Sequence, residues 1–369
     1  MLFRSMKMIE EKEKVYVAMS GGVDSSVAAA LLVEQGYDVS GFMLKLWSCT
    51  SENACCPPEA ISQAYHVAGM LHIPFQVIDA SEVFREEIVD EFIDGYRKGT
   101  TPYPCYYCNR MIKWGVILEH LSISGTEKIA TGHYARIKRE GDNHLLLKAV
   151  DETKDQSYAL SGLDNSLLAR TIFPLGSLKK TQVRELAKQF KLTVAEKKDS
   201  QDLCFVGEEG YREFLRKESP GSFIPGIIKS INGQILGKHE GLANYTIGQR
   251  KGLGAGFAEP LYVLEKDPVN NEIVAGTKDQ LGKNRFVAEM KNWSAAKNLM
   301  PNLRCEVKTR YKSTIINAII ENIDGSDVVV RLSQSQRDIT PGQIAVFYQG
   351  EIVLGSAVII SADISGECT

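Results

Sequence analysis

Short apolar runs alternate with amphipathic stretches from Val15 to about Ala195. Val15-Tyr16-Val17-Ala18-Met19 reads as a strand, and Val27-Ala28-Ala29-Ala30-Leu31-Leu32 as the helix after it. Val39 to Leu46 predicts a second strand, Pro58 to Leu71 a helix and Phe75 to Ile78 a third strand. Phe84, Ile88, Phe92 and Tyr96 recur near helical spacing and predict a long helix over Val83 to Arg97. Further helices are predicted over Met111 to Leu121 and Thr181 to Phe190, with a strand over Lys128 to Thr131 between them. Strands alternating with helices argue for a doubly wound parallel sheet, which binds ligands beyond the carboxyl ends of its strands.

Beyond Cys204 the texture changes. Glycines recur at 226, 233, 237, 241, 248, 252 and 254 between short apolar pieces, which predicts a small, turn-rich β domain. After roughly Phe286 come alternating runs at Leu303 to Val307, Ile315 to Ile320, Val328 to Leu332, Ile344 to Tyr348 and Ile352 to Ile360. Their even spacing predicts a compact β-barrel. A chain of 369 residues exceeds one ordinary core. Three units are therefore expected, over residues 1–205, 206–283 and 284–369.

The formal net charge of −3 argues against a protein that coats itself in nucleic acid. Local basic surfaces remain, at Lys179, Lys180, Arg184, Lys188 and Lys191, at Lys197 and Lys198, and at Arg304, Lys308, Arg310 and Lys312. Each alone also reads as a solvated face. No apolar run approaches the length of a membrane span, and the charged first fourteen residues lack the pattern of a secretory signal. A cytoplasmic protein is expected.

The segment Ser20-Gly21-Gly22-Val23-Asp24-Ser25-Ser26 joins the first strand to its helix. Two glycines let backbone approach an anion, and a helix N-terminus offers N–H groups and a positive dipole end. Asp24 suits a magnesium ion or a ligand hydroxyl. A Walker loop would carry a lysine after its glycines, and none follows here. The plainer alternative is a serine and glycine turn capping an ordinary helix.

Eight cysteines suit a reducing compartment, where thiols serve reactivity or metal binding. Cys105 and Cys108 form a C-x-x-C in the proline-stiffened loop Thr101 to Arg110, just ahead of a predicted helix. Such a position, near Arg110 and Lys113, predicts lowered thiol pKa values. Half a zinc site is the other reading of that spacing, but no second pair matches it. Cys204 stands in the polar stretch Lys197 to Phe205, unusual for a packed thiol. Cys305 reads as a core thiol, and Cys49, Cys55 and Cys56 as a surface insertion.

Ser20-Gly21-Gly22-Val23-Asp24-Ser25-Ser26 resembles the PP-loop of ATP pyrophosphatases, which adenylate a substrate and release pyrophosphate. Taken with the Thr101 to Asn109 loop, Ala130 to Arg136, Lys154 to Tyr158, Asp199 to Phe205, Tyr245 to Gly252, Arg310-Tyr311 and Pro341-Gly342-Gln343, it resembles the MnmA family of tRNA-specific 2-thiouridylases over nearly the whole chain. The resemblance implies a PP-loop domain of adenine nucleotide α-hydrolase type, a small β-rich domain and a C-terminal β-barrel. It also implies ATP on Ala18, Met19, Ser20, Gly21, Gly22, Val23, Asp24 and Ser25, with Leu44 and Gly132 lining the nucleotide. Cys204 would carry a persulfide and Cys108 would be its partner nucleophile. Tyr103, Pro104 and Cys105 would flank a flipped base, and His133, Lys154, Asp155, Gln156, Arg310, Tyr311 and Gln343 would contact tRNA. The implied activity is thiolation of the wobble uridine of Lys, Glu or Gln tRNA, with magnesium and a sulfur donor such as a cysteine desulfurase or relay protein.

One departure is Cys105, where many family members carry Asp. Cys105, Cys108 and Cys204 would offer three ligands to a 4Fe–4S cluster, so cluster and persulfide routes both stand at this point. Another PP-loop sulfurtransferase or an amide-forming ATP pyrophosphatase is the rival enzyme. A non-catalytic, nucleotide-sensing tRNA-binding protein is the rival outside enzymes.

Overall fold

The computed structural model describes residues 12–47, 58–120, 127–195, 203–207, 209–254, 259–294, 299–337 and 339–362. Cys49, Cys55, Cys56, Lys197, Lys198 and the 199–202 part of the Cys204 motif lie outside them.

The N-terminal part follows the predicted alternation. Strand β1 (Lys14–Ala18) leads to helix α1 (Val23–Glu34), β2 (Asp38–Lys45), α2 (Pro58–Met70), β3 (Phe75–Asp79) and helix α3 over 81–97. Helix α4 then runs over 104–120, ahead of β4 (Lys128–Thr131). The sheet order is β3-β2-β1-β4-β7, where β7 is a two-residue edge strand over Thr171–Ile172, and every pairing in it is parallel. Val15, Val17, Val27, Ala28 and Leu32 are fully buried, so β1 and α1 form the centre of one core.

Two elements depart from the sequence reading. Helix α4 begins seven residues earlier than Met111, at Pro104, so the C-x-x-C lies within the helix and not in a loop ahead of it. Proline at a first helical position loses no hydrogen bond and has its φ already set. The helix opens into a wider π-type winding over Cys108–Val116. Second, Arg136–Glu140 and Asn143–Leu147 form an antiparallel hairpin, β5 and β6, inside the stretch read as parallel.

After helix α5 (Ser157–Leu160), α6 (Lys180–Gln189) and α7 (Tyr211–Glu218) comes a four-stranded sheet. Its strands are β8 (Gly226–Ser230), β9 (Ile235–His239), β10 (Tyr262–Asp267) and β11 (Glu272–Gly276), in the order β10-β11-β8-β9. The remaining strands are β12 (Lys283–Trp293), β13 (Leu303–Lys308), β14 (Ile316–Asp324), β15 (Asp327–Gln336), β16 (Ile344–Gln349) and β17 (Ile352–Ser361). They close an antiparallel six-stranded barrel, because β12 pairs with both β15 and β17. Cys305 is buried in its core, as expected.

The barrel does not stand apart. Leu147 of β6 pairs with Ile352 of β17, so the hairpin extends the barrel's sheet. Ile344, Val346, Tyr348 and Val353 of the barrel share one apolar core with Phe92, Ile112 and Trp114 of the N-terminal part. Tyr158 donates to the Ile344 carbonyl at 2.6 Å, and the Tyr106 and Ser356 hydroxyls meet at 3.0 Å. No helix among the described residues is long and apolar enough to cross a membrane.

Candidate active site

The site begins where β1 ends. Gly21 takes a φ of +66°, and a Cβ there would sit 2.4 Å from the Ala60 carbonyl oxygen. No other residue suits both the left-handed backbone and that approach. Gly22 caps α1, and the Ser25 and Ser26 hydroxyls donate to its carbonyl at 3.2 and 2.8 Å. Ser20 N donates to Ser25 Oγ at 3.1 Å. These bonds fold Ser20 to Ser25 into a compact cup at the N-terminus of a twelve-residue helix. Gly132, at the end of β4, lets that strand press against the cup, since a Cβ there would lie 2.6 Å from Ser25 N. Ala18 and Met19 lead into the cup, Val23 is buried at its helix start, and Leu44 lies buried at the end of neighbouring β2.

Asp24 does not stand open in this cup. Lys180 Nζ reaches both its carboxylate oxygens at 2.8 Å, and the Tyr134 hydroxyl donates to Oδ1 at 2.8 Å. Neither partner was singled out for the site from sequence. Lys180 read only as part of a basic helix, and its separation of 156 residues from Asp24 leaves no local signal.

The thiols come from two directions. Cys108 is buried on α4, Cys105 is partly buried one turn before it, and Cys204 is exposed on the turn over 203–206. Phe205 anchors that turn, its ring set edge-on against Phe84, Phe92 and Phe214 at 5.2–5.8 Å. Burial pushes the Cys105 thiol up to about 11 and Cys108 up to about 12. Cys204 adds a repulsive contribution to both, and Lys113 opposes it. The expected lowering is therefore overturned: within α4 desolvation outweighs the cation. The three thiols sense one another, yet no group of three ligating side chains able to hold a metal ion occurs among the described residues.

Beside the thiols lies an aromatic face drawn from both halves of the chain. The rings of Tyr103 and Tyr311 lie 6.3 Å apart and 20° from parallel, with Tyr158 at 5.2 Å from Tyr103. Lys308 Nζ stands 5.7 Å above Tyr311 and 5.8 Å above Tyr158, and burial lowers its pKa. Tyr158 and Lys308 join this face without having been singled out as site residues. Pro104 is buried beneath it.

Other residues expected at the RNA are tied to the protein itself. Asp155 accepts from Ala149 N at 2.9 Å and from the Ser157 hydroxyl at 2.8 Å, and Gln156 Oε1 accepts from Tyr134 N at 2.9 Å. The Lys154 backbone N–H closes a turn on the Asp151 carbonyl at 3.0 Å. Arg310 donates to Thr340 Oγ1 at 2.9 Å, and Gln343 to the Thr101 carbonyl at 2.8 Å. His133 packs against Trp114 and Phe173, and burial holds its pKa well below the usual range, so it is neutral.

Three family models match in succession. They are a tRNA methyl transferase HUP domain over residues 13–208, a tRNA methyl transferase PRC-barrel domain over 212–277 and an aminomethyltransferase beta-barrel domain over 283–359. The tRNA-specific 2-thiouridylase MnmA 1 of Caldanaerobacter subterraneus subsp. tengcongensis is 41% identical over 359 residues, 95% of this chain and 99% of its own. MnmA of Clostridioides difficile is 41% identical over 353 residues, 94% of this chain and 98% of its own.

The chain belongs to the MnmA family.

Membership makes the N-terminal part a PP-loop domain of an ATP-using family. The domain descriptions speak of methyl transfer, whereas MnmA relatives matched almost end to end are named for thiolation. Among solved structures, the U34-tRNA thiolase NcsA from Methanococcus maripaludis with its 4Fe-4S cluster is 18% identical, with a TM-score of 0.35 over 57% of this chain and 67% of that one. That likeness is too slight to carry its cluster across.

Proposed function

We propose that this protein is an ATP-dependent tRNA-uridine 2-sulfurtransferase that converts the wobble uridine of Lys, Glu or Gln tRNA into 2-thiouridine. The observation that carries the proposal is the setting of a phosphate cup and three interacting thiols beside a tyrosine face, in a chain about two-fifths identical to named 2-thiouridylases.

Uridine O2 attacks the α-phosphorus of ATP, the Pα–O bond to the β-phosphate breaks, and pyrophosphate leaves from the cup. Backbone N–H groups at the start of α1 suit the negative charge of the phosphates. The carboxylate of Asp24 and the Ser25 and Ser26 hydroxyls are hard oxygen donors that fit magnesium, which would screen that charge. The terminal sulfur of a Cys204 persulfide then attacks C2, and AMP departs with the original oxygen. Cys108 attacks the inner sulfur of Cys204, which releases 2-thiouridine and leaves a Cys108–Cys204 disulfide for an external thiol to reduce. Cys204 suits the carrier role because it is exposed to a donor such as a cysteine desulfurase or relay protein. Tyr103 and Tyr311 suit stacking of an extruded base, and Lys308 the backbone beside it. The chemistry suits a reducing cytoplasm.

The test is nucleoside mass spectrometry of an unmodified Lys, Glu or Gln tRNA transcript incubated with protein, ATP, magnesium and a persulfide donor, a cysteine desulfurase supplied with cysteine. Wobble 2-thiouridine that requires ATP supports the proposal. Thiolation of another base, or none by active protein, removes it.

A further inference from the structure

The PP-loop lacks the lysine with which a Walker loop meets its phosphates. A helix N-terminus carries only roughly half a positive charge. The triphosphate brings several negative ones, more than a divalent ion and the helix end would balance, so a further cation from the fold would favour its binding. Lys180 is the lysine that reaches into the loop.

Its placement is fixed from the backbone outward. Lys180 is the first residue of α6, and its N–H donates to Asp151 Oδ2 at 2.9 Å. The preceding Lys179 N–H donates to Gln182 Oε1 at 2.8 Å, which closes the helix start. From there the side chain runs inward beside Tyr134, whose ring centroid lies 5.9 Å from Nζ, and ends on both oxygens of Asp24. The lysine side chain is 11% exposed and the aspartate 30%. The carboxylate is thus the more open member, and the ammonium lies behind it.

A charge removed from water in this way is costly unless it is paired, and Asp24 supplies the pairing here. Lysine is suited to changing partners, since it is a point charge on a flexible four-carbon stem with three donors. Asp24 is the second residue of α1, next to Ser25 and the loop amides. An ammonium parked on Asp24 is therefore a short side-chain rotation from any phosphate bound in the cup.

We infer that Lys180 is the phosphate-binding cation of this PP-loop, supplied from α6, and that Asp24 holds it ready until ATP arrives. Resting on the adenylation proposed above, this assigns the residue that grips the pyrophosphate portion of the nucleotide. Asp24 is released for the magnesium-bearing role when the amine turns to the phosphates.

The experiment is calorimetric titration of the full chain with ATP, inorganic pyrophosphate and adenosine, for the wild type, Lys180→Met, Lys180→Gln and Lys180→Arg. Lys180→Met is expected to weaken ATP and pyrophosphate at least tenfold and to leave adenosine unchanged, with Lys180→Arg recovering most of the loss. Lys180→Gln keeps a donor for Asp24 and removes only the charge, so it decides the matter should the methionine variant fail to fold. Equal ATP affinity in wild type and Lys180→Gln overturns the inference, while ATP use by the wild type stands. Loss of adenosine together with ATP in a folded variant also overturns it, because the lysine then shapes the pocket and does not hold phosphate. A wild type that binds no ATP removes both this inference and the adenylation beneath it.

Discussion

Gln343 of the barrel donates to the Thr101 carbonyl at 2.8 Å, while Thr101 N–H donates to the Pro341 carbonyl at 2.8 Å. Two reciprocal bonds fasten the barrel to the segment that leads into the thiol helix. Gln343→Ala leaves a carbonyl without its donor and is expected to cost about 1–2 kcal/mol of stability. Thermal unfolding and tRNA binding separate this from an RNA contact: a lowered Tm is expected, whereas weaker tRNA binding at unchanged Tm would restore the role read from sequence.

The thiols are predicted to differ in reactivity. With Cys108 near 12 and Cys105 near 11, the thiolate fraction at pH 8 is minute, and each rise of one pH unit increases it roughly tenfold without a plateau below pH 10. Exposed Cys204 is expected to alkylate with iodoacetamide at least tenfold faster than either. Peptide mass spectrometry over a time course reads the order directly, and first modification at Cys108 would contradict it.

Gly132→Ala places a methyl group 2.6 Å from Ser25 N and 2.7 Å from the Asp24 carbonyl carbon. The cup must then shift away from β4. ATP affinity is expected to fall at least tenfold by calorimetry, and an unchanged value would argue that the cup does not hold the nucleotide.

Lys266 of β10 donates to the Tyr245 carbonyl at 3.0 Å, 6.0 Å from the Tyr96 ring centroid, and burial lowers its pKa from 10.5 to about 8. Between those values the unfolded chain binds more protons than the folded one, so stability rises with pH from about 8 to 10.5. Below about 8 both states are protonated and the folded one bears the full penalty. Lys266→Met is expected to be the more stable protein at pH 7 by about 1–3 kcal/mol, with the difference gone only above about pH 10.5. Urea unfolding at the two pH values checks the crossover.

Much of the architecture was legible because periodicity carries it. Residues 303–307 and 328–332 were readable as strands since each alternates toward a barrel interior, whereas 344–348 is buried throughout, a continuous apolar run between two cores. The Ser20 to Ser25 cup was readable because its glycines have a local conformational reason. Helix α4 was misplaced because Thr101-Pro102-Tyr103-Pro104 reads as loop until one sees Pro104 open the helix. The thiol pKa values went wrong for the same reason, since burial is a tertiary property that spacing does not reveal. Hairpin β5–β6 escaped notice because its partner, β17, lies some two hundred residues away. The Asp24–Lys180 pair was hidden for the same kind of reason.

That pairing of β6 with β17 sets an order of events during synthesis. The strand that completes the hairpin's sheet is the last described element to leave the ribosome, and its Ser356 reaches Tyr106 only then, just after Ile344 of β16 becomes available to Tyr158. A nascent chain can close its nucleotide cup early, whereas the barrel's hydrogen bonds to Tyr106 and Tyr158 wait for residues 344–356 to be made. A chain that stops before residue 344 therefore lacks the barrel residues that buttress the tyrosines beside the thiol helix.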